Sequence, residues 1–215
     1  IELARLLGTK QLKFFTRIHY GGGAACAPVM QGAMAVAAGI CDVAVCYRAM
    51  NERSWYRFGA GMAGAPTAPY FENTHYSWYI PHGLLTPASW VAMHATRYMH
   101  EYGATTEDFG RISVACREFA AENPAAFFYQ QPITLEDHQS SRWICEPLRL
   151  LDCCQESDGA VAVVITSTER ARDLRQKPAV IKGAAQGAPP EPQMMTNYYR
   201  DDITGLPGMG LVAAQ

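Results

Sequence analysis

Apolar residues along this chain recur with two different spacings, and the points where the spacing changes mark its elements. Ile1, Leu3, Ala4, Leu6 and Leu7 follow the helical repeat. No capping residue precedes them, so this helix is expected to begin before residue 1. Leu12 to Tyr20 (LKFFTRIHY) is rich in aromatic and apolar residues and ends at Gly21-Gly22-Gly23, which predicts a strand entering a tight turn. Ala24 to Gly39 holds only small or apolar residues apart from Gln31, with no charge on any face. That pattern predicts a helix buried on all sides and closed by Gly39. Cys41 to Tyr47 (CDVAVCY) then reads as a short strand covered on both faces, completing a parallel βαβ unit.

From Asn51 the periodicity stops in a stretch of Gly, Pro and aromatic residues that runs to the Leu-Leu-Thr-Pro at 84–87. Pro87 opens an amphipathic helix through about Tyr102, and Thr105 caps a second that runs to Asn123-Pro124. Ile133 to His138 predicts a short third. Asp158 to Ser167 (DGAVAVVITS) reads as a buried strand, Thr168 to Leu174 as a charged surface helix, and Ala179 to Gly183 as another strand. Pro207 starts a further helix with no terminator before Gln215, so the sequence reads as the middle of something longer. The expected division is 1–50, an inserted loop domain at 51–149, and 150–215.

Composition narrows the classes. With 49% hydrophobic residues in 215, the chain can bury a core, and a net charge of −2 provides no cationic face for nucleic acid. Charged residues make up 18%, below the roughly 25% of typical soluble domains, which points to surface covered by a partner subunit. The seven cysteines are odd in number and form no CxxC pair, so neither a disulfide framework nor a zinc site is indicated. Reduced thiols fit a cytoplasmic setting, and no apolar run reaches the length of a membrane span. Gly21-Gly22-Gly23 is not followed by Gly-Lys-Ser/Thr, and a GxGxxG reading would need glycine at Cys26.

Three stretches resemble the thiolase superfamily, in its sterol-carrier and lipid-transfer-protein branch. They are GGGAACAPVMQGAMAVAAGICDVAVCYRAMNERS at 21–54, TPASWVAMHATRYMHEYG at 86–103, and PLRLLDCCQESDGAVAVVITS at 147–167. The resemblance implies an α/β fold with αβαβα layers, of which this chain would hold part of the first half, the loop domain and the start of the second half. With the remaining layers absent, exposed apolar strand edges are expected. The resemblance also implies that the small-residue helix lies centrally with its N-terminus at the active site, where helix N–H groups favour a thiolate or enolate oxygen.

In ordinary thiolases the reactive cysteine sits about 17 residues before the closing glycine of that helix. Counting back from Gly39 lands on Gly22. The nearest thiol, Cys26, is either a shifted nucleophile or a small inert residue buried beside Ala25 and Ala27. The likeness is closest to cysteine-lacking aldolases that cleave steroid side chains. Their reaction splits a β-hydroxyacyl-CoA into a ketone and a short acyl-CoA with no covalent enzyme intermediate. This implies a coenzyme A thioester as substrate, no covalently bound cofactor, no metal, a homodimer, and a zinc-ribbon/OB-fold partner protein. The pocket would involve Gly22, Gly23, Thr86, Cys154, Asp158 and Gly159, with the principal acid and base beyond Gln215. Within the chain, Cys26 and the loop histidine His82 are the catalytic candidates. Two alternatives stay open: a thiolytic acetyl-CoA acyltransferase using Cys26, and a non-catalytic acyl-CoA or lipid-binding protein.

Overall fold

The computed structural model describes residues 2–18, 25–55, 76–190 and 198–215. In chain order these form α1 (Glu2–Leu6), α2 (Ala27–Ala37), β1 (Val43–Asn51), α3 (Tyr76–Tyr79), α4 (Pro87–Tyr102), α5 (Thr106–Glu122), α6 (Leu135–Ser140), β2 (Trp143–Cys145), β3 (Leu148–Arg149), β4 (Asp158–Thr166), α7 (Thr168–Ala171) and α8 (Pro207–Ala213). Short 3-10 turns occupy Ile80–His82 and Leu150–Asp152. The residues group into two compact units, one comprising 1–50, 159–197 and 206–215, the other 51–158 and 198–205.

The first unit is built on a two-stranded sheet of β1 and β4. The Thr166 hydroxyl at the end of β4 donates to the Asp42 carbonyl just before β1, 2.8 Å away. The start of one strand therefore lies beside the end of the other, which is antiparallel pairing. The βαβ unit expected from the sequence would instead pair β1 with a strand at 12–20, of which residues 19–20 lie outside the described residues. Among the described residues, 12–18 and 179–183 form no strand. Both segments have the composition of strands, but a strand persists only where another supplies its hydrogen-bond ladder, and composition does not supply one.

Helix α2 packs on this sheet through its smallest residue. A Cβ at Gly32 would stand 3.1 Å from both Cys46 Sγ and Ile165 Cδ1. The Cys46 thiol donates to the Pro28 carbonyl at 3.3 Å, and burial pushes its pKa up. Gly39 ends the segment with φ of +69°, a conformation that glycine adopts without a Cβ penalty. The helix is covered on one face only, with Met34 61% exposed, so the expectation of burial on all sides is corrected. The strands likewise have open apolar faces, from Val163 at 42% to Val161 at 70% exposed. An all-apolar sequence shows that cover is required; the layer that provides it must come from elsewhere.

The second unit is helical. Thr86 caps α4 in a reciprocal box with Ser89, as Pro87 at the first helical position implied, and Gly103 ends it with φ of +68°. Trp90 Nε1 donates to the Leu84 carbonyl at 2.8 Å. The 198–205 segment lies along the same helix: Tyr198 donates to the Trp90 carbonyl at 2.7 Å, and His94 Nδ1 is 2.9 Å from the Ile203 carbonyl. Helix α5 packs against α6, and α4 against the β2–β3 hairpin, whose turn contains a cis Glu146–Pro147 bond. The hydrophobic pattern gives no sign of this hairpin, because strands of three and two residues are too short to show alternation.

Capping carboxylates start α5 and α6. Asp137 Oδ2 accepts from the Thr134 amide at 2.8 Å and the Thr134 hydroxyl at 2.7 Å, and Asp108 does the same for Thr105. The Thr134 amide bond, followed by its hydroxyl, holds the Asp137 pKa below its ordinary value. A carboxylate with a lowered folded pKa contributes stability that is complete above the unfolded value of about 3.9 and is lost as pH falls through the folded value. Asp137→Asn should therefore lower the urea midpoint at neutral pH, and the gap to wild type should close as the solution is acidified through the carboxylate range. An equal gap at both extremes would contradict this.

Candidate functional site

The N-terminus of α2 is the first place to look. Cys26 is its N-cap and accepts no hydrogen bond through its side chain; the Met30 amide bonds to its carbonyl at 3.0 Å. Cys26 is exposed, which corrects the expectation of a buried thiol. Along α2 the buried residues are Ala27, Gly32 and Ala35, with Gly32 against the sheet, and Cys26 lies outside this set. Gly22 and Gly23, the centre of the expected oxyanion site, lie outside the described residues.

Asp158 opens β4, and its Oδ1 accepts from two consecutive backbone amides, Arg53 at 2.9 Å and Ser54 at 3.1 Å. These bonds, the Ser54 amide foremost, hold its carboxyl below the usual range. Beside it Gly159 has open space where a Cβ would stand. Thr86 is occupied in capping α4, with its hydroxyl accepting from the Ser89 amide at 3.3 Å. His82 ends the 3-10 turn at Ile80–His82 and is exposed.

Cys153 and Cys154 follow the 150–152 turn. Burial, then the neighbouring Asp152 carboxylate, pushes the Cys153 thiol up, the opposite of what an attacking thiolate needs. Cys154 is exposed. The structure thus brings Asp158 to the segment following β1 and leaves Thr86, His82 and Cys154 each in its own local setting. Among the described residues no group of three or more His, Cys, Asp or Glu side chains is arranged to hold a metal ion. Within the same limits, no helix is long and apolar enough to cross a membrane.

One buried polar centre has no counterpart among the residues singled out from the sequence. His138 on α6 is fully buried, and its Nε2 lies 2.7 Å from Asp152 Oδ1. Asp152 Oδ2 accepts from the Arg149 amide at 2.7 Å. On the other side of the ring, Gln139 Nε2 approaches His138 Nδ1 at 3.2 Å, and the Thr106 hydroxyl donates to Gln139 Oε1 at 3.0 Å. With the proton on Nε2, every donor in this chain faces an acceptor. The network ties α5, α6 and the 150–152 turn together. The only hint in the sequence is a histidine in a capped short helix, and its partner stands 14 residues away.

No family model matches the chain. It is 63% identical over all 215 residues to a steroid side-chain-cleaving aldolase of Thermomonospora curvata. It is 59% identical, again over its full length, to a 17-hydroxy-3-oxo-4-pregnene-20-carboxyl-CoA lyase of Mycobacterium tuberculosis. The chain spans 55% and 56% of the length of these two relatives. A solved structure described as an Ltp2-ChsH2(DUF35) aldolase superposes with a TM-score of 0.89 at 60% identity, covering 99% of this chain and 53% of that one. At lower identity the likeness extends to an acetyl-CoA acetyltransferase and to sterol carrier protein 2. Sequence likeness along the whole chain, a matching fold and these more distant thiolase relatives agree: the chain belongs to the thiolase superfamily, among its sterol-carrier-protein-like members.

Proposed function

We propose that this chain is part of a thiolase-like aldolase, a carbon–carbon lyase that cleaves the β-hydroxyacyl-CoA ester of a steroid or similarly bulky compound. The observation that carries the reading is glycine at position 22, where a thiolase nucleophile belongs, within a chain 63% identical to a steroid side-chain-cleaving aldolase. Without a thiol at that position the helix mouth suits a reaction with no acyl-enzyme. A base removes the β-hydroxyl proton, the oxygen lone pair forms the ketone, and the Cα–Cβ bond breaks. Its electron pair becomes a thioester enolate, which hydrogen-bond donors at the helix N-terminus stabilise until Cα is protonated. We assign the pocket to Gly22, Gly23, Thr86, Cys154, Asp158 and Gly159, and the principal acid and base to residues outside this chain. A homodimer and a DUF35-type partner with zinc-ribbon and OB-fold parts complete the proposed assembly; the DUF35 component of the solved Ltp2-ChsH2(DUF35) aldolase supports the partner.

The test is to incubate the full-length protein, with its partner, with 17-hydroxy-3-oxo-4-pregnene-20-carboxyl-CoA, and to look for the 17-ketosteroid and propionyl-CoA by mass spectrometry. Absence of both sinks the reading. The exposure of Cys26 keeps a thiolytic acyltransferase as the second reading. Cys26→Ser decides between them: the lyase reading expects turnover within about twofold of wild type, whereas a covalent mechanism predicts a loss of several orders of magnitude.

A further inference from the structure

Helix α5 is apolar on two sides, and the second unit uses only one of them. Gly110 meets Leu135 and His138 of α6, and the Ser113 hydroxyl lies 3.5 Å from Asp152 Oδ1 in the 150–152 turn, so this side is packed. Ile112, Ala115, Cys116 and Phe119 are exposed and fall at i, i+3, i+4 and i+7, which aligns them on the opposite face. Ile112 is 64% and Phe119 76% open to solvent. This is the spacing by which a helix anchors in a groove, here with a bulky residue at each end and two small ones between that allow close approach. The rim of the strip is acidic. Glu118 and Glu122 are exposed one turn apart beside Phe119, and among the described residues neither has an ion-pair partner. Like charges at that spacing weaken a helix, so they contribute nothing to α5 itself. Arg111 is already paired with Glu107 and Asp108, and Arg117 lies over the Phe128 ring at 3.6 Å.

We propose that the Ile112–Phe119 strip of α5 is the docking face for the partner subunit, which meets it with an apolar surface rimmed by lysine or arginine. This rests on the assembly put forward above. Charge selects the occupant. Along one flank of the strip stand Glu107, Asp108, Glu118 and Glu122 against the single guanidinium of Arg111. A second copy docked by two-fold symmetry, helix antiparallel to helix, would set Glu107 and Asp108 of one against Glu122 of the other, like charge on like. A basic rim on a different chain answers all four carboxylates, and Phe119 supplies the aromatic anchor on which such interfaces concentrate their binding energy.

Cys116, inside the strip and exposed, is its own reporter. In the full-length protein without partner, N-ethylmaleimide should alkylate Cys116 at the rate of an open thiol, read by mass spectrometry on a peptide containing residue 116. Partner held well above its Kd should slow that alkylation by about tenfold or more. Phe119→Ser should weaken partner binding by about tenfold or more, with the urea midpoint close to wild type because the ring is exposed in the free chain. The double variant Glu118→Gln, Glu122→Gln should slow association by about threefold at low salt, and the difference should vanish at high salt. Protection of Cys116 in the partner-free protein overturns the proposal: if dilution relieves it the occupant is a second copy, and if not it is the rest of the same chain. A partner that binds while Cys116 reacts at its free rate, or that binds Phe119→Ser as tightly as wild type, overturns the docking face and leaves the assembly standing. An association rate indifferent to the two glutamates overturns the basic rim. A partner that does not bind at all removes the assembly, and this face with it.

Discussion

Replacing His138 with alanine should destabilise the second unit by about 3–5 kcal/mol, the largest single effect expected anywhere in the described structure. The imidazole is wholly buried, so its removal leaves a cavity among α5, α6 and the 150–152 turn. It also takes away the 2.7 Å partner of Asp152, whose side chain is only 6% exposed. A buried carboxylate that loses a short hydrogen bond bears its own desolvation cost, and this adds to the lost packing. His138→Gln, which keeps an N–H donor, should recover part of the loss. Urea unfolding monitored through Trp143, on the neighbouring hairpin, measures both variants; a change below about 1 kcal/mol for His138→Ala would mean that the network adds nothing to stability.

Gly110→Val should cost about 1–3 kcal/mol by overpacking. A Cβ at Gly110 would stand 2.6 Å from Leu135 Cδ1 and 2.8 Å from His138 Nδ1. The leucine methyl can rotate away, but the imidazole is fixed on both of its nitrogens. Valine gains only a few tenths of a kcal/mol over glycine in helix propensity, so the clash decides the sign. The two substitutions share a cause and must therefore couple. In the His138→Ala background the added side chain enters the vacated space, and the double variant should be more stable than the sum of the single losses allows, by about 1 kcal/mol or more. Strict additivity would show that α5 and α6 do not meet where the structure places them.

Neither residue could have been picked out beforehand, whereas the elements around them could. The helix at 87–102 was legible from Pro87 and the amphipathic run to Tyr102, and the structure adds the Thr86–Ser89 box and the Gly103 stop. Thr105 and Asn123-Pro124 delimited α5 in the same way. Gly110 within α5 has its reason in a ring on a later helix, which no local pattern announces. The pocket residues divide similarly. Thr86 was singled out only through the family likeness, as a pocket residue, and the structure finds it capping α4. The turn role of Asp158 was legible from Asp-Gly before an apolar strand, but not the amides it holds, because nothing in a sequence says which distant segment will pass within hydrogen-bonding reach.

The sequence by itself determined the helices with caps, the glycine at position 22, the apolar character of β1 and β4, and the likeness to thiolases, because each depends on residues adjacent in the chain or on a motif read in order. Tertiary structure decided which strands pair, which face of α2 is covered, and where a buried histidine finds its carboxylate. Propensity and periodicity act over a few residues, while pairing and burial are settled by segments far apart in the chain that compete for the same neighbours. That competition set β1 and β4 side by side as an antiparallel pair, and left 12–18 and 179–183 without a strand to join.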